Sequence, residues 1–403
     1  MSCKGEMKNN NVQTQKAKSA AGKARATTAK SKSTAAKSEK QRGFFGILRD
    51  TFLLIINLVV VALLLVAAKS SLINPEDLWF AVYPNYMLPF LAVLNLIFFI
   101  YWLIRWRYRA LISLAVFIIT FNNCKVWMPI NVSQESPSLT EKEVKLLTYN
   151  TMQFSGMKAH TKETPNEVLQ YLNASQADII CLQETMCHSS SKYLRKEDVL
   201  KAMKDYPHQF SLPGKSSMNM WIFSKYPILK CKRIEFESVA NASFYCDIQI
   251  GGKIIRVINN HLESNKLTAK DKSLYKDIID EPNKESITHV AKALSDKLAP
   301  AAVMRAQQAE KVAEEIARSP YPVIVCGDFN DIPNSYTYRT VSKGLKDAWV
   351  QNASGLGITF HEKFYLFRID YIFHSPSIKT YRTKVDRVPH SDHYPLWTYF
   401  QVL

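Results

Sequence analysis

The chain has 403 residues, with 52 Lys and Arg against 35 Asp and Glu, a formal net charge of +17. That length allows two or three modules of about 100–200 residues each. Aromatic residues at 11% and apolar residues at 47% exclude a wholly disordered chain, and seven cysteines exclude a disulfide-rich miniature scaffold.

Residues 1–43 are built from Lys, Ala, Ser, Thr and Asn without one aromatic side chain; eleven basic and two acidic residues give this tail a net charge of +9. Such a segment cannot bury a core and is expected to be disordered. Its charge suits nucleic acid or anionic lipid, or serves as a topology signal beside a membrane span. It is too long and polar before the first apolar stretch for a secretory signal peptide.

Residues 44–130 have the opposite character. Thr51 to Ala68 carries no charge, and with Phe44–Leu48 in front it reaches the roughly 20 residues a helix needs to cross a bilayer. Three hydrophobic helices are expected, over about 44–68, 78–104 and 110–130. The second has Trp79, Tyr83, Tyr86, Tyr101 and Trp102 near its ends as interface anchors, and Pro84 and Pro89 as possible kinks. The third is the weakest, because Asn122, Asn123 and Lys125 interrupt it. It spans if Lys125 snorkels to the surface, and is otherwise re-entrant or interfacial. The tail and the link Arg105-Trp106-Arg107-Tyr108-Arg109 are basic, whereas Lys69 to Asp77 is not. Basic flanks stay in the cytoplasm. The expectation is an integral protein of the cell (inner) membrane, with a cytoplasmic tail and everything after Ile130 extracytoplasmic. Without the third crossing, the rest of the chain lies in the cytoplasm.

Residues 131–141 read as a polar linker, and residues 142–403 as one large domain of alternating strands and helices. Short strands are expected at Val144–Tyr149, Ala177–Gln183, Met220–Phe223, Ile228–Phe236, Ala242–Ile250, Lys253–Asn259, Val323–Cys326, Ile369–Phe373 and Leu396–Val402. Gly251-Gly252 marks a hairpin. Helices are expected at Thr164–Ala174 and Pro300–Arg318. Strands outnumber helices and connect locally, which favours two packed sheets with helices outside.

Several of these strands end in polar residues that a core would not choose: Asn150, Glu184, Asn260-His261, and Gly327-Asp328-Phe329-Asn330-Asp331. Asp370 lies inside an apolar strand, and His390-Ser391-Asp392-His393 comes near the C-terminus. Polar groups delivered to one end of a sheet by several strands build active sites. Carboxylates and amide oxygens without a Cys/His cluster favour Mg²⁺ or Mn²⁺ over Zn²⁺. With no Gly-rich phosphate loop, no nucleophilic Ser elbow and no H-E-x-x-H, a water nucleophile is the natural choice.

LLTYN (146–150), ICLQE (180–184), IFSKYPI (222–228), NNHLES (259–264), GDFNDIP (327–333), RIDYIF (368–373) and SDHYPL (391–396) occur in this order. In these motifs the chain resembles the endonuclease/exonuclease/phosphatase superfamily of pancreatic-type deoxyribonucleases, abasic-site endonucleases, bacterial sphingomyelinases and inositol-polyphosphate 5-phosphatases. The tail and hydrophobic segments resemble a membrane-anchored bacterial branch of it. The resemblance implies an α/β fold, a four-layer α/β/β/α sandwich, here preceded by an all-α transmembrane region and a disordered basic tail. It implies Glu184 as principal metal ligand with Asn150 and Asp392 nearby, and a Mg²⁺ cofactor (or Mn²⁺). Asp328 would orient or deprotonate the attacking water, and Asn330 would hold the nucleophile or the phosphate. Asp370 would fix the tautomer of His393, and His393 with His261 would contact the scissile phosphate or help the leaving oxygen. The family's substrate-selecting loops are not matched, and no Trp precedes Asn150 as it does in most abasic-site endonucleases.

The leading expectation is a membrane-anchored, Mg²⁺-dependent phosphodiesterase, a nuclease with nucleic acid as substrate. A phospholipid or inositol-phosphate hydrolase of the same fold is the alternative. A catalytically inactive nucleic-acid-binding membrane scaffold is the alternative from another class. Lys-rich 265–287 could hold a substrate backbone or a lipid headgroup. Arg305 reads as structural and His390 as a loop residue. Cys181 and Cys326 read as free core thiols. Cys231 and Cys246 lie on strands joined around Ser238–Asn241 and are expected to face each other, paired as a disulfide or left as two free thiols.

Overall fold

The computed structural model describes residues 45–131, 143–190, 192–213, 219–238, 240–266, 284–362 and 365–403. The tail, nearly all of the 131–141 linker and most of the Lys-rich segment lie outside the described residues.

Three helices come first: α1 (Phe45–Ser70), α2 (Val82–Ile104, entered through a single 3-10 turn at Trp79–Ala81) and α3 (Ala110–Trp127). All three are long and apolar enough to cross a membrane. α3 runs unbroken through Asn122, Asn123 and Lys125 and ends at Trp127, three residues short of the sequence expectation. Their outward faces expose Phe52, Ile55, Leu63, Phe90, Ile97, Leu111, Ile118 and Phe121. Exposed apolar side chains in this number are unusual on a surface facing water and ordinary on one facing lipid. Inside the bundle, Asn57 ties the helices together. Its amide nitrogen donates to Ser113 Oγ at 3.1 Å, and its oxygen accepts from Trp102 Nε1 at 3.1 Å. Asn95 donates to the Ser113 carbonyl at 3.1 Å. Hydrogen bonds of this type join apolar helices for which lipid offers no alternative partner.

Among the remaining described residues there are two six-stranded sheets. The first has the order β13-β14-β1-β2-β4-β3, with β1 (Val144–Asn150), β2 (Ile179–Thr185), β3 (His208–Leu212), β4 (Asn219–Ser224), β13 (Ile378–Val385) and β14 (Leu396–Val402). The second has the order β5-β6-β7-β8-β12-β9. Its strands are β5 (Ile228–Ile234), β6 (Ala242–Ile250), β7 (Lys253–His261), β8 (Val323–Asp328), β9 (Lys346–Asp347) and β12 (Asp370–His374). A small hairpin, β10 (Phe360–Glu362) with β11 (Tyr365–Phe367), stands apart from both. Among the described residues, only β1 with β2 and β7 with β8 pair in parallel; the other pairs are antiparallel.

Alternation along the strands assigns the faces. Leu146, Ile179, Cys181 and Ile222 of the first sheet meet Phe244, Val257, Ile324, Cys326 and Ile372 of the second in one dry layer. On the outer face of the first sheet, Leu147, Ile180 and Leu182 pack against Val168, Leu169 and Leu172 of helix Glu167–Ala174. On the outer face of the second, Ile258, Val325 and Phe373 pack against Ala309 and Val312 of helix Lys284–Ala317. The result is the four-layer α/β/β/α sandwich. Each fully buried aliphatic or aromatic side chain in these layers contributes roughly 1.5–3 kcal/mol. Helix Lys284–Ala317 begins well before the expected start at Pro300, which lies inside it. A proline there removes one backbone donor from the helix.

Cys181 and Cys326 are buried and free, whereas Cys231 and Cys246 stand directly opposite each other on β5 and β6 and form a disulfide. Peptide mapping of the unreduced protein should yield one linked peptide pair carrying Cys231 and Cys246. Cys181 and Cys326 should react with alkylating agent only after unfolding.

Candidate active site

Parallel pairing brings the ends of four strands to one edge. β1 ends at Asn150, which is in register with Gln183 of β2, one residue before Glu184. β7 ends at His261, in register with Asp328, the last residue of β8. β12 begins beside them, with Asp370 opposite Asp328. The turn before β14 adds Asp392 and His393.

The backbone departs from regular geometry where these side chains are aimed. Glu184 has φ +50°, and the β2–β4 register shifts between Leu182 and Thr185. A left-handed non-glycine residue costs roughly 1–2 kcal/mol, and a bulge of this kind re-aims a side chain. Asn330 has φ +52°, a conformation that Asn tolerates. Its backbone N–H donates to Asp328 Oδ1 at 2.8 Å, closing an Asx turn. Residues 152–156, just after Asn150, turn with φ between +44° and +72°. The turn delivers Phe154 into the outer core, and the Asn166 amide donates to its carbonyl at 2.9 Å.

Asn150 is the hub. Its amide nitrogen donates to Glu184 Oε1 at 3.1 Å and to Asp328 Oδ2 at 3.0 Å, so it joins carboxylates from both sheets. Its oxygen accepts from the Met152 N–H at 3.1 Å. His261 is buried, with Nε2 3.4 Å from Glu184 Oε1 and 3.8 Å from Asp328 Oδ2. These are ion-pair distances, and Nε2 has no hydrogen bond of good geometry. A buried imidazole nitrogen aimed between two carboxylates without a bond is poised for a further partner. His393 donates from Nδ1 to Asp370 Oδ2 at 2.8 Å and places Nε2 3.7 Å from Asp328 Oδ2. Asn330 Nδ2 donates to the Leu262 carbonyl at 2.9 Å.

The surroundings sort the charges. Burial disfavours a charge on Glu184, but His261 and the Asn150 amide outweigh it and bring the carboxyl down to about 2. Burial pushes Asp328 up to about 6, with Asp370 adding to the rise and both histidines opposing it. Burial also raises Asp392. Burial works against charge on the two imidazoles, yet Glu184 and Asp328 raise His261, and Asp370 and Asp328 take His393 up to about 10.

All eight residues singled out from the sequence therefore meet at this edge. Arg305 is buried and braces the neighbouring loop, donating to the Glu263 carbonyl at 2.9 Å with Nε 3.4 Å from Asp331. Arg368 pairs with Asp347 at 2.7 Å, leaving Asp370 to His393. Three contributors escaped the sequence reading. Ser391 Oγ donates to the Asn150 carbonyl at 2.8 Å. Thr359 Oγ1 accepts from the Ile369 and Asp370 N–H groups at 3.1 Å each. His361 stacks its ring on Tyr394 with centroids 3.7 Å apart, and its backbone N–H donates to the Asp392 carbonyl at 3.0 Å. Ser391 sat inside a recognised motif and could have been found there; Thr359 and His361 carried no signal.

Two donor groupings offer themselves to a cation. Among the described residues, Asp328, Asp370 and His393 place ligand atoms within 4.8 Å of one another. His393 and Asp370 are already committed to each other, and a charged imidazole does not ligate. Glu184 and Asp392 supply carboxylate oxygens of the kind that suit Mg²⁺ or Mn²⁺, whereas Asn150 turns its amide nitrogen, and not its oxygen, toward Glu184. Glu184 keeps its charge there, with a quarter of its side chain exposed (25%).

The model of the Endonuclease/Exonuclease/phosphatase family matches residues 147–393, more than half of the chain. The chain belongs to this family. A second family model, a domain of unknown function, matches residues 50–127. No curated protein matches the chain. Among solved structures, D. rerio TDP2 complexed with a single-strand DNA product is 15% identical, with TM-score 0.45, covering 65% of this chain and 100% of that one. An endonuclease/exonuclease/phosphatase from Beutenbergia cavernae is 16% identical, with TM-score 0.44, covering 65% of this chain and 72% of that one. One from Bacteroides vulgatus is 18% identical, with TM-score 0.44, covering 65% and 100%.

Two substitutions test the geometry. Asp370→Asn removes the charge that holds His393 up, so its pKa should fall well below about 10. NMR titration of the imidazole carbon protons should find the protonated form lost at lower pH. The stability this pair contributes is full below the ordinary histidine value of about 6.5 and is lost as pH rises through about 10. Gly327 has φ +125°, and a Cβ there would lie 2.0 Å from the Asn260 carbonyl oxygen. Gly327→Ala should therefore cost about 3 kcal/mol or more, read as a large drop in thermal midpoint or loss of folded protein.

Proposed function

We propose that the chain is a membrane-anchored, Mg²⁺-dependent phosphodiester hydrolase of the nuclease type. One observation carries the reading: Asn150, Glu184, His261, Asp328 and the Asp370–His393 pair converge from two sheets on one edge, with His261 Nε2 buried 3.4 Å from Glu184 and 3.8 Å from Asp328. In this reading Asp328, with a pKa of about 6, is ionised at neutral pH and orients or deprotonates the attacking water. Asn330 holds that water or the phosphate. His393, kept charged by Asp370, and His261 place positive hydrogen-bond donors where negative charge develops on the phosphoryl oxygens. Glu184 and Asp392 would hold the ion, joined by Asn150 after a half-turn of its amide. A bound Mg²⁺ would supply Lewis-acid polarisation of the phosphate. Nucleic acid is the first substrate class, supported by the mild positive balance of residues 131–403, whose net charge is +5.

The three helices would span the membrane, with the tail in the cytoplasm and the sandwich outside. The basic ends of α1 and α2 support this, because Arg49, Arg105 and Arg107 gather around Asp50. So does the Cys231–Cys246 disulfide, which persists in oxidising compartments. A second reading, a phospholipid or inositol-phosphate hydrolase, is favoured by one contact. Ile332, two residues beyond Asn330, is packed in the core of the apolar helices. A site so near the bilayer would meet headgroups.

The test uses the full chain in nanodiscs. It is given circular duplex DNA, single-stranded DNA, phospholipid vesicles and inositol phosphates, with Mg²⁺ or EDTA. Hydrolysis should require Mg²⁺, and His261→Ala and Glu184→Gln should each lower it by roughly 10²–10⁴-fold. Cleavage of DNA alone supports the nuclease; turnover of lipid or inositol phosphate alone supports the second reading. No turnover of any substrate, with membrane insertion intact, would sink the hydrolase and leave a scaffold.

A further inference from the structure

The loop that follows β8 has one end in the site and the other among the apolar helices. Asp328 and Asn330 open it. Ile332 is inserted into the helix core, and Pro333 and Asn334 follow. Two residues of chain span at most about 7 Å, so Asn330 and Ile332 cannot move independently.

Asn334 bonds α2 and α3 directly and is linked to α1 through Asn123. It is buried and holds φ +61°, a conformation that asparagine tolerates better than most residues. Its amide nitrogen donates to Asn85 Oδ1 on α2 at 3.1 Å, and its oxygen accepts from Asn123 Nδ2 on α3 at 2.8 Å. Asn123 Nδ2 also donates to the Ala68 carbonyl on α1 at 3.0 Å. Asn85 Nδ2 donates to the Pro333 carbonyl at 3.0 Å. Each amide is oriented by the next, so no single one can turn without leaving a buried donor or acceptor unpaired. Asn123 is also one of the polar residues that made α3 a poor apolar helix in the sequence. Its partner accounts for its presence.

We propose that Asn85 and Asn123 are positioning residues for the hydrolytic site: they clamp Asn334 and thereby hold the loop that carries Asp328 and Asn330. The inference rests on the hydrolase reading above, and it makes the three helices part of the site's framework as well as an anchor. Catalytic groups must be held to within a fraction of an ångström, and misplacement by about 1 Å can cost about a hundredfold in rate. The sandwich restrains the near end of the loop through the Phe329 N–H, which donates to the Ile369 carbonyl at 2.9 Å, the Asn330 amide on the Leu262 carbonyl, the Tyr371 hydroxyl, which donates to the Asp331 carbonyl at 2.9 Å, and Arg305. The helices restrain its far end, at Ile332 to Asn334.

Two variants of the full chain in nanodiscs test this from opposite sides. Asn334→Gly keeps the left-handed backbone and removes both side-chain bonds. Asn123→Ala removes the α3 contact and leaves the loop sequence intact. Sites are counted by Mn²⁺ binding, so that loss of folded protein does not pass for loss of rate. In both variants kcat per site should fall about ten- to a hundredfold while KM stays within about twofold. Amide exchange measured by mass spectrometry should quicken in 328–334 and not in β1 or β7. Unchanged kcat and exchange would overturn the clamp, and so would faster exchange with unchanged kcat. If the wild type hydrolyses nothing, that failure belongs to the hydrolase reading. The exchange then decides alone: quickening in 328–334 supports the clamp, and no change overturns it.

Discussion

Parallel pairing is the constraint on which the edge that gathers the candidate site depends. Two strands that run the same way finish on the same side, so their last residues become neighbours. β1 with β2 and β7 with β8 are the parallel pairs, one in each sheet. They bring Asn150 beside Glu184, and His261 beside Asp328. Packing the sheets face to face then sets one pair against the other, close enough for Asn150 to bond Asp328 across the gap at 3.0 Å. An antiparallel neighbour would have sent each partner residue to the opposite edge. The antiparallel strands of the site contribute from their beginnings, Asp370 as the first residue of β12 and His393 just ahead of β14.

Given that edge, neighbours decide what each charge does. Glu184 and Asp328 are both carboxylates within reach of His261, yet the first is held at about 2 and the second at about 6. The difference is company and exposure: Glu184 retains some contact with water, and Asp328 is sealed beside a second acid, Asp370, whose charge belongs to His393. One fold edge thus holds one carboxyl well below the usual range and lifts another toward neutrality, with the surroundings and not the acid type making the difference.

Much of this was legible in the sequence, for a physical reason. A buried strand is a continuous apolar run, so a polar residue at its end is conspicuous, and Asn150, Glu184, His261 and Asp328 could be picked out one by one. The sandwich followed from the order of the motifs. What could not be read depended on partners far away along the chain or on local backbone. The positive φ of Glu184 has no signature in Ile-Cys-Leu-Gln-Glu. The β10–β11 hairpin is too short for a pattern to emerge. Asn123 read as a defect in a hydrophobic helix because the residue it serves, Asn334, lies 211 positions away. The long helix was read from Pro300 because a proline usually marks a boundary, and here it lies inside.

The junction between α3 and the sandwich has its own consequence. The Gly355 N–H donates to the Pro129 carbonyl at 2.9 Å, and the Asn131 amide donates to the Val350 carbonyl at 3.0 Å and also to that of Ala353. Tyr86 of α2 meets Phe367 edge to face, with ring centroids 6.1 Å apart. A domain on a loose tether sweeps a hemisphere and samples substrates at many heights. A domain seated this firmly keeps one height and one tilt. In a bilayer its encounters would then be governed by lateral diffusion of the whole molecule and by what reaches that single altitude above the membrane, as for a fixed tool carried across a surface.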